Sequence, residues 1–197
     1  MDAEELAFFD RIAPQWDAME IKSLPPKVRL VLALCGVEPG MKVLDLGTGT
    51  GVLLPYLSEL VGPEGAVKGI DISRGMLEEC HRKNAHLANV SLECKDFELD
   101  PIEGRYDLIM LYCVYPHLHY PMATLQRLFN DSLADGGRII IAFPNDETFV
   151  NNIHAEKKAP HEALPSATGL AARLASAGFP ARVVAESEEL YIVEIEK

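Results

Sequence analysis

The most constraining feature of the chain is residues 43–51, VLDLGTGTG, where a short apolar run passes directly into alternating glycines. The apolar run is typical of a buried strand, and leucines at helical spacing follow the glycines. Alternating glycines let the backbone turn sharply and approach a ligand closely, because no Cβ intervenes. The segment therefore predicts a strand, a ligand-binding turn and a helix, although many nucleotide-binding folds share such a turn.

Short apolar runs alternate with helical segments from Met41 onward, which is typical of βαβ units around a mostly parallel sheet. The predicted fold class is therefore α/β. Strands are predicted over Lys42–Leu46, Ala66–Asp71, Val90–Cys94, Tyr106–Tyr112 and Arg138–Phe143. Helices are predicted over Gly51–Val61, from an N-cap at Ser73 to about His86, over Met122–Leu133 with Asp135-Gly136-Gly137 as its stop, and over Thr168–Ala177.

The chain closes with two further apolar runs, Ala181–Ala185 and Glu189–Ile195. Only about three residues separate these runs, which is too few for a helical crossover. We therefore expect the last two strands to pair antiparallel as a hairpin. A common dinucleotide dehydrogenase would instead continue with further parallel strands and helices.

The charge balance narrows the classes of partner. Eighteen Lys and Arg against thirty Asp and Glu give a net charge of −12, and the basic residues do not cluster, so nucleic acid and anionic membranes are disfavoured as partners. The uncharged stretch Leu108–Gln126 contains two prolines and two histidines, which favours a buried strand and loop over a membrane span. Four widely spaced cysteines and an acidic N-terminus without a leader pattern predict a cytoplasmic location.

Two acidic residues lie at the ends of the next two predicted strands. Asp71 ends the second strand, about twenty residues after the glycine turn, where a carboxylate can accept hydrogen bonds from both hydroxyls of a ribose. Asp96 follows the third strand, and Phe97 adds an aromatic face beside it. Because ligands of open α/β sheets bind at the carboxyl ends of the strands, Gly47, Asp71 and Asp96 are expected to converge on one site.

The order of these motifs resembles a known family. The motifs are VLDLGTGTG, GIDIS, KDF, YDLIMLYCVYPHL and LADGGRIIIAFP. Together they resemble the class I S-adenosylmethionine-dependent methyltransferases over about residues 40–143, and FFDRIAPQWD resembles the start of the ubiquinone/menaquinone-biosynthesis-like small-molecule group. The resemblance implies a three-layer Rossmann-like sandwich with a seven-stranded, mostly parallel sheet and the antiparallel C-terminal hairpin already expected.

The resemblance also implies an arrangement of the whole chain as one methyltransferase domain. Its expected parts are an N-terminal helical lid over 1–38, a cofactor-binding core over 39–143, a substrate-side loop or cap over 144–165, and a C-terminal helix and hairpin over 166–197. The connection after the fifth strand is expected to hold a short helix capped by Asn145 or Asp146.

The resemblance further implies roles for individual residues toward S-adenosylmethionine. Asp45 orients the ammonium group, the glycine turn lines the methionine part, Asp71 binds the ribose, and Asp96 holds the adenine edge. The full predicted cofactor set is Asp45, Gly47, Thr48, Gly49, Gly51, Asp71, Ile72, Met76, Asp96, Phe97, Tyr112 and Cys113.

Four of the six histidines lie in the two loops expected to border the methyl acceptor. Histidine is suited to act as a general base near neutral pH, and with carboxylates it can also bind a transition metal. Candidate catalytic residues are His117, His119, Tyr115 and His154, and candidate metal ligands are His117, His119, His154 and His161. A plain loop role for these side chains stays open, and no metal is assigned.

The predicted function is transfer of a methyl group from S-adenosylmethionine, by in-line displacement, to a small-molecule nucleophile of unknown identity. Two alternatives stay open: a non-catalytic sensor or partner subunit that binds S-adenosylmethionine or a nucleotide, and an NAD-dependent oxidoreductase. The C-terminal hairpin and the Asp96-Phe97 pair disfavour the oxidoreductase. The acceptor atom and the choice between monomer and homodimer are not determined by the sequence.

Overall fold

The computed structural model describes residues 3–19, 24–156 and 163–197. Its helices are α1 (Ala3–Met19), α2 (Leu24–Leu34), α3 (Leu54–Val61), α4 (Arg74–Asn84), α5 (Pro121–Arg127), α6 (Glu147–Glu156) and α7 (Ala167–Ser176). Its strands are β1 (Lys42–Leu46), β2 (Ala66–Asp71), β3 (Val90–Cys94), β4 (Tyr106–Tyr112), β5 (Leu133–Phe143), β6 (Ala181–Ser187) and β7 (Leu190–Glu196). A short 3₁₀ turn over Tyr115–His117 precedes α5, and a π turn over Leu128–Ser132 follows it.

The strands form one seven-stranded sheet in the order β3-β2-β1-β4-β5-β7-β6. The first five strands run parallel, whereas β7 pairs antiparallel with both β5 and β6. The α/β class, the mostly parallel seven-stranded sheet and the antiparallel C-terminal hairpin are thus confirmed. The strand order reverses direction between β1 and β4, and a crevice for ligands is expected beyond the carboxyl ends of strands at such a switch point.

Two hydrophobic clusters cover the two faces of the sheet and give the three-layer arrangement. Because side chains alternate along a strand, Ile139 and Ile141 of β5 enter one cluster and Ile140 enters the other. Helix α7 packs in the first cluster, and helices α2 and α3 pack in the second. Within the described part of the chain, no helix is both long enough and apolar enough to cross a bilayer.

Two predicted helix caps are confirmed. The Ser73 hydroxyl accepts a hydrogen bond from the backbone nitrogen of Met76 at the start of α4. Asp146 rather than Asn145 caps α6, because its carboxylate accepts a hydrogen bond from the backbone nitrogen of Phe149 at 2.8 Å.

The helix predicted over Met122–Leu133 is confirmed, since the chain is helical from Pro121 to Ser132, as an α-helix to Arg127 and as a π turn from Leu128, but its predicted stop is wrong. Strand β5 already begins at Leu133, which pairs with Tyr106 of β4. The glycines of Asp135-Gly136-Gly137 therefore lie inside β5, where the pairing with β4 shifts register, instead of ending a helix. Gly136 adopts a φ of +75°, and its backbone nitrogen donates to the carbonyl of Lys197. The glycines therefore belong to an irregular first part of β5.

Several other boundaries shift by a few residues. Helix α3 begins at Leu54 rather than Gly51, with Pro55 in its first turn as expected. Helix α4 ends at Asn84 rather than at about His86, and α7 spans Ala167–Ser176 rather than Thr168–Ala177. Helix α1 continues through Pro14.

Candidate active site

The glycine turn after β1 is held against the end of β2. The backbone nitrogens of Gly47 and Thr48 both donate to the carbonyl of Ile70, at 2.8 and 3.0 Å. Gly47 adopts a φ of +67°, and a Cβ built on it would lie 2.5 Å from Val114 Cγ2. Gly49 also has a positive φ, of +54°. Glycine is therefore required at position 47 both by backbone conformation and by the close approach of Val114.

Asp71, at the end of β2, bonds to two backbone groups of the site. One carboxylate oxygen accepts a hydrogen bond from the nitrogen of Gly49, and the other accepts one from the nitrogen of Ser73, both at 2.8 Å. Burial raises the pKa of Asp71, while the backbone hydrogen bonds from Ser73 and Gly49 oppose that rise. The side chain both shapes the turn and lines the cavity described below.

Asp45, within β1, is 2% exposed, and its carboxylate accepts a hydrogen bond from the Thr48 hydroxyl at 2.7 Å. Burial raises the pKa of Asp45 to about 7, the Thr48 hydrogen bond lowers it, and the nearby charge of Asp71 raises it further. A cation that approaches Asp45 would therefore favour the ionised form of this side chain.

The Asp96-Phe97 pair and Glu98 form the edge of the site beyond β3. The carboxylate of Asp96 accepts a hydrogen bond from the nitrogen of Glu98 at 2.9 Å, which closes a local turn. Phe97 is buried, and Arg127 donates to its carbonyl. The carboxylate of Glu98 accepts hydrogen bonds from the backbone nitrogens of His119 and Tyr120.

These groups surround a cavity of about 220 Å³ at the carboxyl ends of the strands. All members of the predicted cofactor set line it except Gly51, which lies buried beneath the turn. A Cβ on Gly51 would lie 2.6 Å from both Cys80 Sγ and Asn84 Nδ2, so this glycine packs the turn onto α4. The remaining lining residues are Phe9, Trp16, Thr50, Val52, Leu53, Glu98, Val114, His117 and Leu118.

Cys113 directly follows β4 and has the only positive φ, +59°, among the described residues other than glycine. Its backbone nitrogen donates to the carbonyl of Ala142 at 2.9 Å, which fixes this unusual conformation. Tyr112, one residue earlier, is buried in the cavity wall. The conformation turns the chain from β4 into the loop that carries His117.

Helix α1 covers the cavity and is attached to it by carboxylates. Asp10 accepts hydrogen bonds from the hydroxyl and nitrogen groups at the start of α4, namely Ser73 Oγ at 2.6 Å and the nitrogen of Gly75 at 2.9 Å. Asp17 accepts one from Thr50 Oγ1 at 2.6 Å and pairs with Lys83 Nζ at 2.5 Å.

The pKa values of these two carboxyls reflect their contacts. The Ser73 hydroxyl, together with the Gly75 backbone nitrogen, lowers the pKa of Asp10. Burial would raise the pKa of Asp17, but its hydrogen bonds to Lys83 and Thr50 outweigh burial and lower it. Both side chains are therefore charged at neutral pH and hold α1 against the glycine turn and α4.

No pattern in the sequence marks Glu5, Asp10 or Asp17 as residues of the site. Their contacts join residues far apart in the chain, and acidic residues on an amphipathic helix look like an ordinary solvated face. The only available signal was the spacing of Phe9 and Trp16, whose rings meet edge to face 5.6 Å apart in the cavity wall.

The predicted acceptor-side residues separate in the structure. His117 lines the cavity, and its Nδ1 lies 2.7 Å from a carboxylate oxygen of Glu5. His119 is 46% exposed and lies 3.7 Å from Glu98, and Tyr115 packs in a hydrophobic core cluster, so neither is part of the cavity lining. His154 belongs to α6, but its side chain lies outside the described residues, as does all of His161.

The described side chains do not form a metal site, because among them no group of three or more His, Cys, Asp and Glu is arranged to hold an ion.

The side chains that line the cavity give it a negative charge. Asp45, Asp71, Asp96 and Glu98 all line it, and the described lining residues include no lysine or arginine. Such a site favours a cationic ligand and disfavours a phosphate-rich one.

The sheet with its antiparallel β7, the glycine turn and the acidic strand ends together define the class I methyltransferase fold. The chain belongs to the methyltransferase domain family, whose model matches residues 37–195.

Two curated relatives are 33% and 34% identical to the chain. Aklanonic acid methyltransferase of Streptomyces sp. strain C5 is 33% identical over 139 residues, which cover 69% of this chain and 63% of that protein. Nocamycin O-methyltransferase of Saccharothrix syringae is 34% identical over 143 residues, which cover 69% of this chain and 49% of that protein. The match thus spans less than two thirds of either relative.

A solved S-adenosylmethionine-dependent methyltransferase from Aquifex aeolicus has the same fold as the chain, with a TM-score of 0.75 and 25% identity. The match covers 93% of this chain and 97% of that one. The Aquifex aeolicus protein is therefore matched over nearly its whole length, unlike the two curated relatives.

Proposed function

We propose that the chain binds S-adenosylmethionine in the cavity beneath α1 and transfers its methyl group to a small-molecule nucleophile. The observation that carries the proposal is the acidic lining of a glycine-turn cavity in a methyltransferase fold. S-adenosylmethionine carries a sulfonium and an ammonium charge, so carboxylates without basic side chains nearby match its charge. Membership of the methyltransferase domain family supports the same ligand.

The lining residues fit the parts of this ligand. Asp71 would accept hydrogen bonds from the ribose hydroxyls through the lone pairs that its bonds to Gly49 and Ser73 leave over. Asp96, Phe97 and Ile72 would hold the adenine. Asp45, oriented by Thr48, would face the ammonium group. Tyr112, Cys113, Met76 and the glycine turn would line the methionine part.

The bound donor supplies an already activated methyl carbon, so the chain mainly has to exclude water and orient the acceptor. Phe9 and Trp16 cover the cavity with apolar rings. His117 is the candidate general base of the described cavity wall, and a base is needed only where the acceptor carries a proton that it must lose.

The acceptor class is part of the proposal. The two named relatives are methyltransferases of aklanonic acid and nocamycin, by their names, which supports a small-molecule acceptor for this chain. The net charge of −12 disfavours nucleic acid. A cytoplasmic location is supported by four free cysteines, because reduced thiols persist in that compartment.

NAD makes a poor ligand for the same cavity on electrostatic grounds. Its pyrophosphate carries two negative charges, which would approach Asp45 and Asp71 with no basic side chain in the described lining. A non-catalytic binding protein would share the cavity, and only turnover separates it from an enzyme.

Titration calorimetry with S-adenosylmethionine, S-adenosylhomocysteine and NAD tests the ligand. We expect both sulfur-containing ligands to bind at least a hundredfold more tightly than NAD, and light scattering on the same sample distinguishes a monomer from a homodimer. Equal binding of NAD, or no binding of either sulfur ligand, would contradict the proposal. Labelled methyl transfer into a small-molecule cell extract then separates the enzyme from a binding protein, which would transfer none.

A further inference from the structure

A carboxylate of α1 contacts the histidine in the cavity wall. Glu5 Oε1 lies 2.7 Å from His117 Nδ1, and the two side chains are 13% and 19% exposed. The two residues are 112 positions apart in the sequence, since Glu5 lies in α1 and His117 lies in the turn after β4. At this distance the ring nitrogen and the carboxylate oxygen are joined by a charge-assisted hydrogen bond.

The contact fixes which ring nitrogen carries the proton. A carboxylate accepts hydrogen bonds and cannot donate, so the Nδ1 of His117 is the protonated nitrogen of the neutral ring. The other nitrogen, Nε2, then carries the lone pair and is the one able to accept a proton. Carboxylate-bound histidines act as bases in this form, because the carboxylate also stabilises the imidazolium that results.

A second residue of α1 holds the same ring. Phe9 meets the imidazole of His117 edge to face, with ring centroids 5.7 Å apart. Glu5 and Phe9 are four residues apart in a helix and so project from one face. The orientation of His117 in the cavity wall is therefore set by α1 and not only by the 3₁₀ turn that carries it.

We propose that Glu5 is a positioning residue that sets His117 as the general base for methyl transfer, so that docking of α1 completes the catalytic site. The inference rests on the proposed function, since it concerns the acceptor side of the same cavity. Glu5 differs from Asp10 and Asp17, whose partners are the glycine turn and α4 rather than a titratable ring.

The proposed transfer step makes and breaks bonds at both the methyl carbon and the acceptor hydroxyl. The acceptor oxygen forms a bond to the methyl carbon while the methyl–sulfur bond breaks, and that electron pair stays on the sulfur of the thioether product. The acceptor O–H bond breaks as well, and its proton goes to Nε2 of His117. The imidazolium formed is paired with the Glu5 carboxylate until the proton is released to solvent.

The arrangement also selects a class of acceptor. A base is needed for a neutral hydroxyl or enol, whereas a thiolate or a carboxylate is already ionised at neutral pH and needs none. An anionic acceptor would also meet the carboxylates of the cavity, which include Asp45, Asp71 and Asp96. The geometry thus favours a neutral acceptor with a hydroxyl or enol group.

A purely structural role for Glu5, as one more attachment of α1, predicts different behaviour. Loss of an attachment would loosen α1 and weaken binding of S-adenosylhomocysteine. Loss of a positioning residue would leave that binding unchanged and slow only the transfer step. Glu5→Gln separates these roles, and Glu4→Gln is the matched control, because it removes the same charge from an exposed neighbouring side chain.

The first readout is nitrogen NMR of the histidine rings in the unliganded protein. We expect His117 of the wild type and of Glu4→Gln in the Nδ1-protonated form, and a mixture of the two tautomers in Glu5→Gln. An Nε2-protonated ring in the wild type, or a spectrum unchanged by Glu5→Gln, would overturn the proposal whatever the protein's activity.

The second readout is labelled methyl transfer from S-adenosylmethionine into a small-molecule cell extract. We expect Glu5→Gln to lower the rate about 10- to 100-fold and His117→Ala about 10²- to 10⁴-fold. Calorimetric affinity for S-adenosylhomocysteine should stay within about twofold of the wild type in Glu5→Gln. Unchanged transfer in Glu5→Gln would contradict the positioning role, whereas failure of the wild type to bind S-adenosylhomocysteine would instead contradict the proposed function.

Discussion

A carboxylate oxygen of Asp71 accepts a hydrogen bond from the backbone nitrogen of Gly49 at 2.8 Å, so the end of β2 holds the turn that follows β1. The other oxygen accepts from Ser73 at the start of α4. One buried side chain therefore ties three segments together at the point where the ligand is proposed to bind. Asp71 therefore has a structural role in the fold as well as a proposed role in binding.

Asp71→Asn should affect both binding and stability. Asparagine keeps the size of the side chain but has one acceptor atom, so the backbone nitrogen of Gly49 or of Ser73 loses its partner. We expect affinity for S-adenosylhomocysteine to fall tenfold or more and the free energy of unfolding to fall by about 1–3 kcal/mol. Calorimetry and urea unfolding measure these, with Asp131→Asn as an exposed control. Unchanged affinity would count against the ribose role.

Asp45 should make ligand affinity depend on pH. Its pKa of about 7 means that below neutral pH the carboxyl is protonated, and the ligand ammonium favours the ionised form. Affinity for S-adenosylhomocysteine should therefore rise between pH 5.5 and 7.5, by up to about tenfold per unit, with proton release on binding. Calorimetry in buffers of different ionisation enthalpy measures that release. Asp45→Asn should flatten the profile, and an unaltered profile would exclude Asp45 as its source.

The same residue should limit the stability of the empty protein. In the folded state Asp45 keeps its proton up to a pH of about 7, whereas the usual value for the unfolded chain is 3.8. Between these values the folded state binds more protons, so the contribution of Asp45 to stability falls as pH rises. Asp45→Asn should therefore be more stable than the wild type at pH 8 by at least about 1 kcal/mol, and equal to it near pH 4. Thermal unfolding at the two pH values checks this.

The sheet could be predicted because its signals are local. Strands β1 to β4 carry short apolar runs broken only by isolated polar residues, and the short gap before β7 permits only a hairpin. The helix stop predicted at Gly136 and Gly137 is wrong because glycines are typical of helix ends as well as of irregular strands. Which of the two forms here depends on pairing between β5 and β4, which is distant in sequence. Register shifts of this kind leave no periodic signal in the sequence.

The site could be predicted only where it follows strand ends. Asp45, Asp71 and Asp96 each lie in or just after a strand that sequence patterns locate well. Glu5 could not be found in this way, because its partner His117 is brought to it by the packing of α1 across the cavity. The sequence around a single acidic residue on a helix does not indicate which distant residue it contacts in the fold.

Gly47 and Gly49 offer a matched comparison of backbone strain and steric clash. Both have a positive φ, but a Cβ on Gly49 meets nothing closer than the Gly47 carbonyl at 4.0 Å, whereas one on Gly47 meets Val114 at 2.5 Å. Gly49→Ala should cost about 1–2 kcal/mol of unfolding free energy, and Gly47→Ala about 1–3 kcal/mol more. Adding Val114→Ala to Gly47→Ala should recover most of the difference, and urea unfolding of the wild type, Gly47→Ala, Val114→Ala and the double variant tests this non-additivity.

Thr50 should control how long α1 stays closed over the cavity. Its hydroxyl donates to Asp17 at 2.6 Å, which joins the glycine turn directly to α1. Thr50→Val removes that hydrogen bond while keeping the shape of the side chain, and Thr50→Ser keeps the hydroxyl as the control. Loss of about 1 kcal/mol should raise hydrogen exchange in α1 and the dissociation rate of S-adenosylhomocysteine about fivefold in the valine variant. Equal exchange in the valine and serine variants would show that α1 is held by its other contacts, through Asp10 and through the Asp17–Lys83 ion pair.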